Sequence, residues 1–500
     1  MTNPGSAALS DRVTDAFSDR DLVVVSNRQP YAHDYDDGEI TVSRPAGGLT
    51  AGLDPVMQRA EGTWIAWGDG DADFEVADEE GRVRVPPDDP SYTLSRVRLS
   101  EEDVEGYYYG YSNRALWPLC HGMIGTARCD GRDFEHYRQV NRRFADAVVD
   151  RIDDDDDALI WFQDYHFGLA PRMVRGDVGG AVLTQFWHIP WPTWDTFRVC
   201  PSAETIVASL LANDLLVFHT PEYVGNFLDC VEAAVPEATV DRSNGAVAYD
   251  DHTTTVVAFP LGVDAGRITD LAERDAWPDL ERRHRLEDRT IALGVDRLDY
   301  TKGIPERIDA LERFFEDHPE RRGDLTYVQK GTGSREEIEA YQHLQDRVDR
   351  SIERVNDRFG TDDWRPIIRV QEHLPKEELY ALYRHSDLAL VTPLRDGMNL
   401  VAKEFVAAQL DSEGVLLLSE FAGAHEELGD DAVTINPYDT QGVADAIDRA
   451  LALPEEERRE RMTTLRERVN SYDLVAWMDD VLSAALDCEG NRDEIVSEHA

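Results

Sequence analysis

Lysine is nearly missing from this 500-residue chain: Lys302, Lys330, Lys376 and Lys403 are its four lysines, and all its other basic residues are arginine. Positive charge is scarce as well, with 51 basic residues against 100 acidic ones and a formal charge of -49. No basic stripe exists, which excludes nucleic acid as a partner. Cysteine is limited to Cys120, Cys129, Cys200, Cys230 and Cys488, an odd and scattered set without a C-x-x-C pair. A disulfide framework or a zinc site needs closer, paired spacing, so plain buried thiols in a reducing cytosol are expected. Long apolar runs are absent too; Val415-Leu416-Leu417-Leu418 is only strand-sized, and no membrane partner is expected. Near the N-terminus, Asp11, Arg12 and Asp15 stand where a signal peptide requires apolar residues, which points to a cytoplasmic protein.

What is abundant is carboxylate. The acids are spread along the whole chain rather than gathered in a tail, although Asp153 to Asp157 run together in a stretch that reads as a solvated loop. Self-repulsion of this size destabilises a compact state in dilute buffer, and molar salt screens it within about 3 Å. Hydrated carboxylates also keep a protein dispersed where salt would precipitate it. A halophilic protein that loses structure in low salt is the expectation. Apolar and aromatic types still make up 42% of the chain, enough for packed cores.

Five hundred residues exceed one hydrophobic core, and strand-like runs alternate with helical patterns nearly throughout, which argues for parallel α/β architecture. The first half offers strands at 22–26, 158–162, 181–187 and 214–219; the second offers 290–295, 325–329, 367–370, 387–391 and 415–419. Helices are expected at 133–151, 304–318 and 335–358. Phe259-Pro260-Leu261-Gly262 breaks the pattern and marks a boundary. The expected division is a polar extension over 1–20, one domain over 21–260, a second over 261–470, and a final helix within 471–490. Two doubly wound domains facing each other put a ligand cleft at the carboxyl ends of their strands.

Asp396-Gly397-Met398-Asn399-Leu400-Val401-Ala402-Lys403-Glu404 follows a strand and opens a helix. Such a junction aims unpaired amides at an anion, usually phosphate, while Glu404 one turn later suits a ribose diol and Asp396 a sugar hydroxyl. An ordinary capped turn is the plain alternative. Arg297 and Lys302 lie in a second strand-to-helix loop, where they suit a pyrophosphate and the charge on a departing nucleoside diphosphate. The alternative there is an ion-pair loop with Asp296 and Asp299, against which stands the retention of a lysine in so lysine-poor a chain. In the first half, Ser26-Asn27-Arg28 ends a strand, and Arg44-Pro45-Ala46-Gly47-Gly48-Leu49 turns into a helix. Tyr107-Tyr108-Tyr109 and Trp117-Pro118 flank a short helical stretch and offer aromatic faces to a sugar, although core packing explains most such clusters. Gln163-Asp164-Tyr165-His166 and His188-Ile189-Pro190 end strands, and Gly331-Thr332-Gly333-Ser334-Arg335 sets another guanidinium at a strand-to-helix turn.

Taken in order, these segments resemble the trehalose-6-phosphate synthase family of retaining glucosyltransferases, from Val23 to about Leu486. The resemblance rests on Val24-Val25-Ser26-Asn27-Arg28, Leu116-Trp117-Pro118, Asp164-Tyr165-His166, His188-Ile189-Pro190, Arg297-Leu298-Asp299-Tyr300 with Lys302-Gly303, and Thr392 through Glu404. It implies a GT-B fold: two Rossmann-like domains across a cleft, with a C-terminal helix crossing back to the first. It further implies transfer of glucose from a nucleoside diphosphate glucose to glucose 6-phosphate, with no cofactor and no metal. By that resemblance Gly48, Arg297, Lys302, His188, Asp396, Met398, Asn399, Leu400, Val401 and Glu404 bind the donor. Arg28, Tyr108, Trp117, Asp164, Tyr165 and Arg335 bind the acceptor, and Arg297, Lys302, His188 and Asp396 carry the catalysis. Two departures border the expected acceptor pocket: the segment before Arg335 lacks the family's usual proline, and Gln29 to Val42 reads as a long acidic loop. Another phosphorylated acceptor, such as glycerol phosphate, and a catalytically silent sugar-phosphate sensor are the alternatives. The donor base and homo-oligomer formation are left open.

Overall fold

The computed structural model describes residues 9–17, 20–44, 48–152, 157–274, 276–333, 335 and 337–498. Pro45, Ala46, Gly47, Asp153 to Asp156 and Ser334, which figure in the expectations above, lie outside that set. The described residues divide into two compact units: one runs from Pro260 to Ala476, and the other takes the described residues up to Phe259 together with those from Trp477 on.

Among the described residues, the unit up to Phe259 is built on a ten-stranded sheet. Its seven central strands are parallel, in the order His252–Ala258, Leu215–Phe218, Val182–Phe186, Ala158–Gln163, Asp21–Ser26, Thr63–Trp67, Tyr92–Val97. Every residue of Ala158–Gln163 is buried, as expected of a parallel strand covered on both faces, and for the same reason it reads as an apolar run rather than an alternation. Antiparallel additions sit at the edges: Ala246–Tyr249 and Thr239–Asp241 on one side, Arg82–Val85 on the other. The chain steps outward from Asp21–Ser26 to Tyr92–Val97, then crosses back to Ala158–Gln163 through the helix Gly131–Val149, whose Asp130 cap accepts from Arg132 N. The strand order therefore reverses between Asp21–Ser26 and Ala158–Gln163, the place where doubly wound sheets open a crevice at their carboxyl ends. Trp477, late in the chain, is fully buried in this unit beside Trp161 and Phe186, with ring centroids 5.6 and 5.1 Å away.

Two expectations for this unit need correction. Tyr107, Tyr108 and Tyr109 do not flank a helix; they lie inside a thirteen-residue π-helix, Val104–Leu116, which runs directly into Trp117–Cys120. The wider turn is accommodated where Gly106 and Gly110 press against His136 and Asp133 of the helix Gly131–Val149. Nor is 29–42 only a loop, because Ala32–Asp36 pairs antiparallel with Glu39–Ser43 around a turn in which Asp37 and Gly38 both have positive φ.

The unit from Pro260 to Ala476 carries a fully parallel sheet of six described strands, ordered Ile367–Val370, Leu325–Thr332, Thr290–Arg297, Leu388–Val391, Val415–Ser419, Val433–Ile435. In chain order this is 3-2-1-4-5-6, the dinucleotide-fold order, with its switch point between Thr290–Arg297 and Leu388–Val391. Helices including Ile304–Asp317, Glu339–Phe359 and Leu400–Ala408 cover the sheet. The helix expected from residue 335 starts at Glu339 instead, because Arg335 adopts a left-handed φ of 47° that no helix can contain. Among the described residues, no helix is long and apolar enough to cross a membrane.

Candidate active site

At the switch point of the Pro260–Ala476 unit, two loops meet. The first leaves Thr290–Arg297 and makes the single turn Tyr300–Lys302 before entering the helix at Ile304. The second leaves Leu388–Val391 and enters Leu400–Ala408. Leu394 N donates to Thr301 O at 2.7 Å and joins them. Gly303 permits the approach: its φ is 63°, and a Cβ there would lie 2.2 Å from Thr392 O. Across the joint, Lys302 Nζ pairs with Asp396 Oδ2, both side chains being mostly buried. Asn399 Nδ2 donates to the same carboxylate oxygen at 3.0 Å.

Asn399 is the N-cap residue of Leu400–Ala408, but it sits at φ 77° and its side chain makes no capping bond. The first amides of that helix are thus left for an external anion, which the helix dipole favours. The Asn399 Oδ1 atom is buried with no hydrogen-bond partner among the described residues. Met398 packs into the core beneath, and its carbonyl accepts from Ala424 N at 2.8 Å. One turn into the helix, Glu404 accepts from the Tyr383 hydroxyl at 3.2 Å. Burial pushes its carboxyl up to about 6, against the lowering effects of Tyr383 and the Lys376 charge. Lys403, by contrast, is structural: it is buried, donates to Leu261 O at 2.9 Å and pairs with Glu427 at 2.6 Å.

Beneath the Lys302 loop lies a fully buried guanidinium that the sequence did not single out. Arg307 donates to Thr392 Oγ1 at 2.8 Å, Asp296 Oδ2 at 2.8 Å, the Tyr327 hydroxyl at 2.9 Å and Gln329 Oε1 at 3.2 Å. It ties the first loop to the second, and Gly294 makes room for it, since a Cβ there would stand 2.1 Å from both Arg307 Nη1 and the Tyr327 hydroxyl. Burial raises the Asp296 carboxyl above its ordinary range even beside Arg307. The alternative weighed for this loop, ion pairs with Asp296 and Asp299, is not what Lys302 and Asp296 form: Asp296 pairs with Arg307, and Lys302 with Asp396.

Asp299 organises a second cluster. Its carboxylate accepts from Thr301 N and Oγ1, from the Tyr341 hydroxyl at 3.0 Å and from Arg335 Nη1 at 3.4 Å. Full burial alone would raise this carboxyl, but the charges of Arg335 and Arg297, the Thr301 amide and the Lys302 charge together hold it below the usual range. The left-handed backbone of Arg335 turns its guanidinium inward, where it also donates to Tyr341 at 2.6 Å. Arg297, at the end of its strand, is exposed.

In the other unit, Ser26-Asn27-Arg28 and Gln163-Asp164-Tyr165-His166 stand at the carboxyl ends flanking that sheet's switch point. Arg28 is exposed; burial raises the nearby Asp69 carboxyl above its ordinary range, and the Arg28 charge offsets only a small part of that. Gly48 opens the helix Gly48–Ala60. Asp164 is held at φ 74°, a conformation costly for a residue with a Cβ, and its carboxylate accepts from Tyr165 N and His188 N at 2.9 and 3.1 Å. Tyr165 is buried with its hydroxyl donating to Asn113 Oδ1 at 2.9 Å. Tyr108 stacks on His166 with centroids 6.0 Å apart, and buried Trp117 lies 5.9 Å from Tyr165. The His188 Nε2–H donates to Gln163 Oε1 at 2.9 Å. Burial, with His219 alongside, holds the ring well below the ordinary range and hence neutral.

Each unit thus gathers its own predicted residues at a sheet's switch point: Lys302, Asp396, Asn399 and Glu404 in one, Tyr108, Trp117, Asp164, Tyr165 and His188 in the other. The chain is also similar to known proteins. The sequence model of glycosyltransferase family 20 matches residues 20–487. The trehalose-6-phosphate synthase of Mycobacterium marinum is 38% identical over 489 residues, covering 96% of each chain. The bifunctional trehalose-6-phosphate synthase/phosphatase of Thermoproteus tenax is 37% identical over 95% of this chain, which spans 64% of that longer protein. Among solved structures, the E. coli protein bound with UDP-2-fluoro glucose superposes with a TM-score of 0.83 at 33% identity, covering 93% of this chain and 98% of that one. A UDP-forming α,α-trehalose-phosphate synthase from Burkholderia xenovorans, in complex with glucose-6-phosphate, gives 0.83 at 32%, covering 93% and 100%.

Proposed function

This chain belongs to glycosyltransferase family 20, and on that premise we propose that it transfers glucose from a nucleoside diphosphate glucose to glucose 6-phosphate, giving α,α-trehalose 6-phosphate. One observation carries the reading: Lys302 and the uncapped amino end of Leu400–Ala408 stand together at the switch point, bridged by Asp396 and Asn399. A diphosphate fits there, with the Lys302 ammonium, the Arg297 guanidinium and the amides of Leu400 and Val401 taking its charge. Glu404 accepts from the ribose diol. Gly48 also serves the diphosphate, while Asp396, the amides near Met398 and Asn399, and His188 hold the donor glucose. A uridine nucleotide is the donor favoured by the relatives whose names say UDP-forming.

Arg28, Tyr108, Trp117, Asp164, Tyr165 and Arg335 hold the acceptor, the guanidinium groups on its phosphate and Asp164 on its hydroxyls. Transfer proceeds on the front face with retention. The bond from the anomeric carbon to the diphosphate breaks, the acceptor hydroxyl adds on the same side, and its proton passes to the leaving diphosphate oxygen. Neutral His188 cannot repel the cationic character that develops at the sugar, and Lys302 with Arg297 offsets the charge released on the diphosphate. The enzyme works in a salt-rich cytoplasm, a reading supported by the -49 charge spread over the chain.

The test is product analysis in molar potassium chloride, with several glucose nucleotides offered against glucose 6-phosphate and glycerol phosphate. Trehalose 6-phosphate with the α,α configuration is the expected product. Turnover confined to glycerol phosphate, or an inverted linkage, would overturn the acceptor assignment or the stereochemical one.

A further inference from the structure

The Pro260–Ala476 unit holds a second feature that the transfer reaction does not use. A cavity of about 700 Å³ lies at the amino ends of the strands, beside Arg289 just before Thr290–Arg297, Thr326 near the start of Leu325–Thr332, and Ile367 at the start of its own strand. Thr290–Arg297 has eight residues, so its two ends are separated by about 23 Å, and the cavity is distinct from the Lys302 loop at the other end.

Arg283, Arg285, Arg289, Arg365, Arg369 and His284 all line it, in a protein with twice as many acids as bases. Several of these are committed. Arg283 pairs with Glu378 through two bonds of 2.9 Å, His284 lies 3.2 Å from Glu372, and Arg369 pairs with Asp349. Arg289 donates to the carbonyls of Gly323 and Asp363, and among the described residues no carboxylate pairs with it. Arg285 and Arg365 are exposed, and their side chains make no hydrogen bond or ion pair with any described residue. The negative end of the helix Trp277–His284 accounts for Arg283 but not for Arg365, which comes from a different segment.

Arg285 also breaks a local rule. It occupies the C-cap of Trp277–His284 at φ 56°, ψ 51°, a left-handed position where glycine is favoured and a side chain is strained. A guanidinium stands there despite that strain, and it lines the cavity. Asp362 and Asp363 share the rim. Guanidinium forks recognise phosphate and carboxylates accept from sugar hydroxyls, and the volume suits a small metabolite. An anion repelled from most of this surface is drawn here.

We propose that this cavity is a second binding site, for a phosphorylated sugar, with Arg285, Arg289 and Arg365 on the phosphate and Asp362 and Asp363 on the hydroxyls. Radiolabelled glucose 6-phosphate serves as the probe, in equilibrium dialysis at the lowest potassium chloride concentration that keeps the full chain folded. The wild type should bind two equivalents and the R285Q/R365Q double variant one, with at least tenfold weaker binding at the lost site; excess inorganic phosphate should displace that equivalent and glucose should not. Equal counts in the two proteins would overturn the proposal. A wild-type count of one that falls to zero in the double variant would support the cavity and remove the acceptor site from the proposed reaction instead. Because both arginines are exposed and unpaired, the double variant should melt with the wild type. If it does not, D362N/D363N must show the same lost equivalent for the proposal to stand.

Discussion

Replacing Arg307 with methionine should damage both the fold and the reaction, by separable amounts. The guanidinium is fully buried and contributes four hydrogen bonds of 2.8 to 3.2 Å, one of them the ion pair with Asp296. Asp296 is itself almost wholly buried, so its carboxylate would lose its ion-pair partner and keep its desolvation, with the Lys302 charge left to offset part of it. Removing one partner of such a pair costs about 3–5 kcal/mol, a large share of the roughly 5–15 kcal/mol that holds a domain folded. Urea unfolding at fixed potassium chloride measures it, since an ionic denaturant would itself screen the acidic surface. Adding Asp296→Leu removes the stranded charge and should return most of the stability. Turnover should not return, because Thr392 and the Lys302 loop remain unclamped, and a displacement of about 1 Å at a reacting group can lower a rate roughly a hundredfold. A single variant within 1 kcal/mol of wild type, or a double variant with full turnover, would refute this account of the Arg307 clamp.

Glu404→Gln should raise the melting temperature at pH 7 while weakening donor binding. The folded-state value of about 6 lies above the ordinary 4.5, so ionisation costs the fold stability as pH rises through 6, and the advantage of the glutamine should vanish below about pH 4.5. An unchanged melting temperature at pH 7 would contradict the burial of that carboxyl. Raising potassium chloride from dilute to molar should raise the melting temperature of the wild type, and a flat profile would dismiss the salt dependence read from composition. Gly303→Ala should cut turnover sharply, since its Cβ would collide with Thr392 O; a variant as active as wild type would mean that the two loops need not touch.

Both switch points were legible in the sequence because a buried parallel strand is an apolar run, and the polar residues that interrupt it must lie at its carboxyl end. Arg28, Asp164, His188, Lys302 and Asp396 were found that way. The Arg307 clamp was not, because an arginine in an amphipathic helix carries no spacing signal; only Gly294, ten or more residues upstream, hints that something must pass over it. The π-helix was missed because a five-residue hydrogen-bond step leaves no 3.6-residue periodicity, and the helix start at Glu339 because Arg335 takes a conformation usually left to glycine. The edge strands, short and half-exposed, lack the apolar runs that marked the central ones.

The account stands or falls on the diphosphate being held by the ammonium at position 302. Transfer from a glucose nucleotide to glucose 6-phosphate, measured with saturating donor, should fall about a hundredfold in Lys302→Ala, the scale of losing one charge-stabilising donor. A variant that turns over at the wild-type rate would contradict it.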